Sequence, residues 1–166
     1  MPEKETVERA HEDAREGKSP STQAGEFVRE EVHHIREGKH GARSTKQAIA
    51  IGLSKARRAG VKLQAPARGK SSARTRKQAK RDYTKGQNHP RQKPSGKRSR
   101  AVSGALKREG HSAASRKSLS KQARSSAARR GSASRHNAAL KAVATKGKRG
   151  LSQAARKAAR TRARAA

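Results

Sequence analysis

A chain of 166 residues with 44 Lys and Arg against 12 Asp and Glu has a formal net charge of +32, so it repels itself and seeks polyanions. Leu, Ile, Val and Phe together number 16, well below the ~20% under which a highly charged chain is expected to be largely disordered, which excludes a large core. With no Cys, disulfides, thiol chemistry and cysteine zinc sites are excluded too.

The charge is unevenly placed. Residues 1–37 hold ten acids against six Lys and Arg, whereas from Gly38 onward 38 Lys and Arg face only Asp82 and Glu109. The pattern is that of a small acidic module carrying a long basic arm. The first residues, MPEKETVERA, contain no apolar h-region, and no run approaches a membrane span in length, so a soluble cytoplasmic protein without membrane partners is expected.

Three helical patterns fill residues 1–63, each followed by Gly where a helix C-terminus needs one. Val7, Ala10 and Ala14 share a face before Gly17; Val28, Val32 and Ile35 before Gly38; Ile49, Leu53 and Ala56 before Gly60. The spacing predicts helices over 22–37 and 45–59 and a first one before them. Ser44 suits the N-cap of the third, and Arg57 and Arg58 suit the negative end of its dipole. Such a module has few sizeable apolar side chains and is marginal alone.

Residues 64–98 carry three of the five prolines and read as a basic linker with one helical stretch near 72–82. Residues 99–166 read as an Ala, Lys, Arg and Ser-rich tail in a loose repeat whose ends are KREG at Gly110, ARRG at Gly131 and GKRG at Gly150. Each unit projects as a short amphipathic helix. Val102, Ala105 and Leu106 oppose Arg100 and Lys107; Leu119, Ala123 and Ala127 oppose Lys117, Lys121 and Arg124; Leu151, Ala155, Ala158 and Ala159 oppose Arg156, Lys157, Arg160 and Arg164. Free in water such helices fray, because they are short and their charges repel, and a polyanion removes that repulsion. The fold class expected is therefore all-α, with a partly disordered tail that folds on binding.

Cationic faces on successive short helices neutralise phosphates and release counterions without reading sequence. The candidate nucleic-acid-binding residues are Lys46, Gln47, Lys55, Arg57 and Arg58 on the third helix, followed by Arg100, Lys107, Arg108, Arg116, Lys117, Lys121, Arg124, Arg129, Arg130, Lys141, Arg156, Lys157, Arg160 and Arg164 along the arm. Thr45, Lys46 and Gln47 open a helix in the place where a helix-turn-helix protein meets base edges, but the connection GKHGARS exceeds a strict turn, and core packing by Ile49 and Leu53 is the default. Phe27 and Tyr83 are the only aromatics, too few for single-strand stacking. Duplex DNA is favoured, with structured RNA possible as a partner.

His33, His34 and His40 cluster in HHIREGKHG, yet adjacent helical histidines diverge and no HExxH is present, so they read as surface residues and no metal or other cofactor is expected. The GKS at 17–19 and at 69–71 lacks the upstream Gly of a phosphate-binding loop, and the basic region has too few carboxylates for a catalytic constellation, so the chain reads as a non-enzyme.

The run GEFVREEVHHIREGKHGARSTKQAIAIGLSKARRAG, residues 25–60, resembles a bacterial domain-of-unknown-function family. Its hallmark is Lys-His-Gly followed by Lys-Gln-Ala-Ile-Ala-Ile-x-Leu-Ser-x-Ala-Arg, here Lys39–Gly41 and Lys46–Arg57. The resemblance implies a bacterial source and supplies no activity. The arm is similar in composition to linker-histone tails and bacterial histone-like proteins. The function expected is non-specific duplex-DNA binding at the nucleoid, with the acidic segment open to a protein partner. The alternatives are an RNA or ribosome-associated protein and a hydrophilic stress protectant without a defined partner.

Overall fold

The computed structural model describes residues 2–88 and 95–164, and the described residues are all-α, with no strand among them. The helices are α1 (Lys4–Arg15), α2 (Pro20–Arg36), α3 (Thr45–Arg58), α4 (Ala73–Asn88), α5 (Gly96–Lys107), α6 (Arg116–Arg129) and α7 (Gly131–Ala163), with a 3₁₀ turn at Ser112–Ala114. None is long and apolar enough to cross a membrane. The chain divides into two compact units, Met1–Ser120 and Lys121–Ala166.

The first three helices stop as their glycines require. Gly17, Gly38 and Gly60 have φ of 72°, 75° and 95°, the left-handed conformation of a helix C′ residue. After each, the next amide reaches back five residues: Lys18 to Asp13 O, Lys39 to His34 O and Val61 to Ala56 O. α2 opens with Pro at its first position, where no donor is lost. α3 opens with a reciprocal cap, in which Ser44 Oγ accepts from the Gln47 amide and Gln47 Oε1 accepts from the Arg43 amide at 2.9 Å.

The core of the first unit is two small clusters at opposite ends of an antiparallel α2/α3 pair. Phe27 and Ala24 meet Ala56, Val61 and Ala10 at one end, with Val7, Leu53 and Leu63 around them. Val32 and Ile35 meet Ala48, Ala42, Ala113 and Ala114 at the other, with Leu119 against them. Between the clusters the helices approach closely, since a Cβ on Gly52 would lie 2.7 Å from Val28 Cα.

The compact unit extends well beyond residue 63. α4 occupies most of the stretch that reads as linker, whose residues 89–94 lie outside the described ones, and it packs along α3 in parallel. Asp82 accepts from Ser54 Oγ and from Gln78 Nε2, and Gln87 Nε2 donates to Gly60 O at 3.0 Å. Gly86 permits this approach, because a Cβ there would overlap the Arg57 carbonyl oxygen and lie 2.8 Å from its carbon. The Lys-His-Gly turn is closed by the end of α5: the Gly41 amide donates to Leu106 O at 2.9 Å and the Ala42 amide to Gly110 O at 3.0 Å. Thr45 Oγ1 donates to Ala113 O at 2.7 Å and Arg36 Nε to Ala114 O at 2.9 Å, fixing the 3₁₀ turn over the second cluster.

In the second unit, Gly131 (φ 74°) separates α6 from α7 as its place in the repeat predicts. The break expected at Gly150 instead falls at Gly147, with φ 62° and ψ 177°, and Gly150 is helical. Only glycine adopts the Gly147 conformation without strain, whereas Gly150 can continue a helix at a modest entropic cost.

Candidate nucleic-acid interface

The cations that the sequence singles out have different fates. Lys55 and Arg57 are structural. Lys55 Nζ lies 3.1 Å from Glu30 Oε1 and 2.7 Å from Glu31 Oε2, with its side chain only 18% exposed. Arg57 is buried and ties the segment after α3 to the helix, donating from Nε to Leu63 O at 3.1 Å and from Nη2 to Gln64 O at 3.3 Å. Burial pulls its guanidinium below its ordinary value, and the negative charge of Asp82 partly offsets that. Neither is placed to meet a phosphate.

The base-reading arrangement at the start of α3 is not assembled either. Thr45 is buried on Ala113, Gln47 caps the helix, and only Lys46 is exposed. The remaining candidates stand in solvent. Arg100, Lys107 and Arg108 are exposed along and just past α5, and Arg116 and Lys117 at the start of α6. Lys121, Arg124, Arg129, Arg130, Lys141, Arg156, Lys157, Arg160 and Arg164 are exposed in the second unit.

Arg58 belongs to a constellation that sequence reasoning missed. It forms one lip of an open groove of about 700 Å³ between α3, α4 and the start of α5. The groove's other cations are Lys77, Lys80, Arg81, Lys85 and Arg98, and its neutral polar lining includes Thr84 and Asn88. Its one carboxylate, Asp82, is buried, engaged by Ser54 and Gln78 and 3.7 Å from Arg58 Nε. On α4 the pairs Lys77–Arg81 and Arg81–Lys85 are like charges at i,i+4, each of which weakens a helix by ~0.2–0.5 kcal/mol. α4 therefore carries a charge pattern that its own stability opposes. The signal in the sequence is a set of basic residues at helical spacing within the stretch that reads as linker.

The acids of residues 1–37 are largely taken up inside the first unit. Arg9 pairs with Glu5 and, at 2.9 Å, with Glu26; Lys18 lies 2.7 Å from both Asp13 and Glu16; Lys39 lies 3.1 Å from Glu37 and 3.3 Å from Glu3. Hydrogen bonds from His34 and Lys39 hold the Glu3 carboxyl below its ordinary value, and those from Lys39 to Glu37 and Glu3 hold its ammonium above. Glu30 and Glu31 are buried against Lys55.

The histidines also depart from the surface reading. His33 is exposed, but His34 and His40 are largely covered, their side chains 13% and 16% exposed and their rings 6.1 Å apart, edge to face.

Fold and surface together define a small helical protein with an acidic-paired core and a cationic exterior. Residues 15–66, which span α2 and α3, match a family described as "Family of unknown function (DUF6496)". No curated protein and no solved structure matches the chain.

Proposed function

We propose that the protein binds duplex nucleic acid, DNA in preference to RNA, by neutralising phosphates without reading bases. In the bacterial cell that the sequence resemblance implies, it would serve as a nucleoid-associated protein. The observation that carries this reading is the groove of Arg58, Lys77, Lys80, Arg81, Lys85 and Arg98, six cations around one shielded carboxylate. Six like charges around one groove add their fields, so the site favours a polyanion, most strongly at low salt. The exposed cations of α5, α6 and α7 offer further phosphate contacts, and the arm's helices are stabilised as their repulsion is neutralised. No catalytic step belongs to this reading.

The test is the affinity of the full chain for several duplexes of unrelated sequence across a salt series, with ribosomal RNA as competitor. Engagement of about ten phosphates gives a slope of log K against log salt near −9, the same for every duplex. A slope shallower than about −2, or tight binding confined to one sequence, rejects the mechanism. Displacement of duplex DNA by equimolar RNA reassigns the polyanion to RNA.

A further inference from the structure

We propose that Glu31, His34 and His40 form a binding site for a divalent transition-metal ion of the zinc class. One ligand atom from each lies within 4.8 Å of the others, on α2 and on the turn that follows it. The Glu31 side chain is 1% exposed, and both its oxygens are buried with no hydrogen-bond partner. Lys55 Nζ lies 2.7 Å from Oε2 and His40 Nε2 lies 3.2 Å from Oε1, close enough for charge attraction but without hydrogen-bond alignment. Lys55 therefore serves Oε2, while Oε1 is met only by the His40 ring, and a buried carboxylate oxygen of that kind is normally hydrogen-bonded or bound to a metal.

The histidines are held as metal ligands are held. His40 Nδ1 lies 3.1 Å from the Gly41 carbonyl oxygen, which only accepts, so Nδ1 carries the proton. In the neutral ring Nε2 is then a bare lone pair, and it faces Glu31 Oε1 at 3.2 Å. Two acceptors at that distance need a cation between them, either a proton or a metal. His34 Nε2 donates to Glu3 Oε1 at 2.8 Å, which leaves Nδ1 as the nitrogen without a hydrogen bond, 3.9 Å from Glu30 Oε1. An N–H given to an outer carbonyl or carboxylate fixes the tautomer and raises the basicity of the other nitrogen, the usual support of a metal-ligating histidine.

Two imidazoles and a carboxylate suit zinc and its neighbours, with bonds of ~2.0–2.2 Å and ligand atoms about 3.4 Å apart, so a pair at the 4.8 Å limit must close by about 1.4 Å. An open cavity of about 240 Å³ reaches the His34 side of the cluster, where Glu3, Glu30 and Lys39 also line it. Lys55 stays on Oε2 and leaves Oε1 for the metal. Joining the end of α2 to the Lys-His-Gly turn, the ion would lock the segment on which α3 begins.

The test is titration of the full chain with Zn²⁺, followed by calorimetry and thermal denaturation, and with Co²⁺, followed by visible absorption. One tight equivalent is expected, with a rise in Tm and the visible bands of a low-coordinate Co²⁺ site. Both signatures should disappear in His34→Gln and in His40→Gln, and persist in His33→Gln and His11→Gln. Glu3→Gln, which loosens a support and spares the ligands, should weaken binding about 10–100-fold. Should the ligand variants fail to fold, imidazole ¹⁵N spectra of the unaltered chain still decide: zinc must shift the resonances of His34 and His40 and leave the other rings unmoved. An imidazolium at His40 that persists in excess zinc, or binding spread over all the histidines, overturns the proposal and assigns the gap to a proton.

Discussion

Gly86→Ala tests the docking of α4 through the sign of its effect. In an undocked helix the change stabilises by ~0.8–1 kcal/mol, because Gly is the costlier residue in a helix interior. In the docked helix the new methyl overlaps the Arg57 carbonyl oxygen and stands 2.8 Å from its carbon and 3.0 Å from Arg58 Cα. These are backbone atoms, so no rotamer relieves the clash, and α4 must move away from α3. Overpacking of this kind costs about 1–3 kcal/mol. Gly25→Ala in α2 is the matched control, since nothing lies within 4 Å of a Cβ there. Far-UV circular dichroism of the full chain during heating should show Gly25→Ala melting higher than the parent. Gly86→Ala should melt lower by roughly 3–10 °C, a drop scaled from a small domain's entropy of unfolding. If Gly86→Ala raises Tm as Gly25→Ala does, α4 is not seated on α3, and no groove forms between it and Arg58.

Replacing Lys77, Lys80, Arg81 and Lys85 together by Gln should flatten the salt slope of duplex-DNA binding by about 3.6, at ~0.9 for each phosphate no longer neutralised. The matched set Lys141, Arg156, Lys157 and Arg160 should flatten it less, and equal effects in a salt-dependent gel-shift series would deny the groove a special role. Asp82→Ala strands Ser54 and Gln78 and should cost about 1–3 kcal/mol in urea unfolding; a decrease under ~0.5 kcal/mol would mean that Asp82 does not anchor α4. Gly147→Ala should raise the helical ellipticity of the full chain, since Ala avoids the φ 62°, ψ 177° conformation at a saving of about 1–3 kcal/mol by continuing the helix. Lower ellipticity would show that packing holds the kink in place.

The sequence makes the first three helices and their stops readable because each depends on local chemistry: an apolar stripe, a cap, and a glycine with positive φ. The limits of the unit are hidden because they depend on small residues. Ala113 and Ala114 complete the second cluster, yet in the sequence they are two alanines among many in a basic tail. Gly41 and Gly86 mark places where backbones touch, Gly41 beneath Glu109 and Gly110 and Gly86 beneath Arg57, and no periodicity reveals a partner about seventy or thirty residues away. The fates of the cations are hidden for the same reason. Lys55 and Arg57 look like Lys80 and Arg81 in the sequence, but their neighbours differ. Glu30, Glu31 and the carbonyls of Leu63 and Gln64 capture the first pair, while the second pair faces open solvent.

That sorting changes what the charge asymmetry means. An acidic module followed by a basic arm suggests two parts that attract each other or divide the work between partners. In the structure most of the early acids are satisfied by Arg9, Lys18, Lys39 and Lys55, so they stabilise the first unit and leave its acidic face little attraction for the arm. The segment 15–66 that matches the family does not close its own core either, since the backbone at Leu106 and Gly110 and the side chains of Ala113 and Ala114 seal one end. The α4 groove therefore lies on the unit that those ion pairs stabilise, and it draws five of its six cations, Lys77, Lys80, Arg81, Lys85 and Arg98, from beyond the stretch that matches the family. On the proposed reading, a polyanion that docks there meets cations already carried on a packed helix, so less ordering has to be offset than in binding to an unpacked segment.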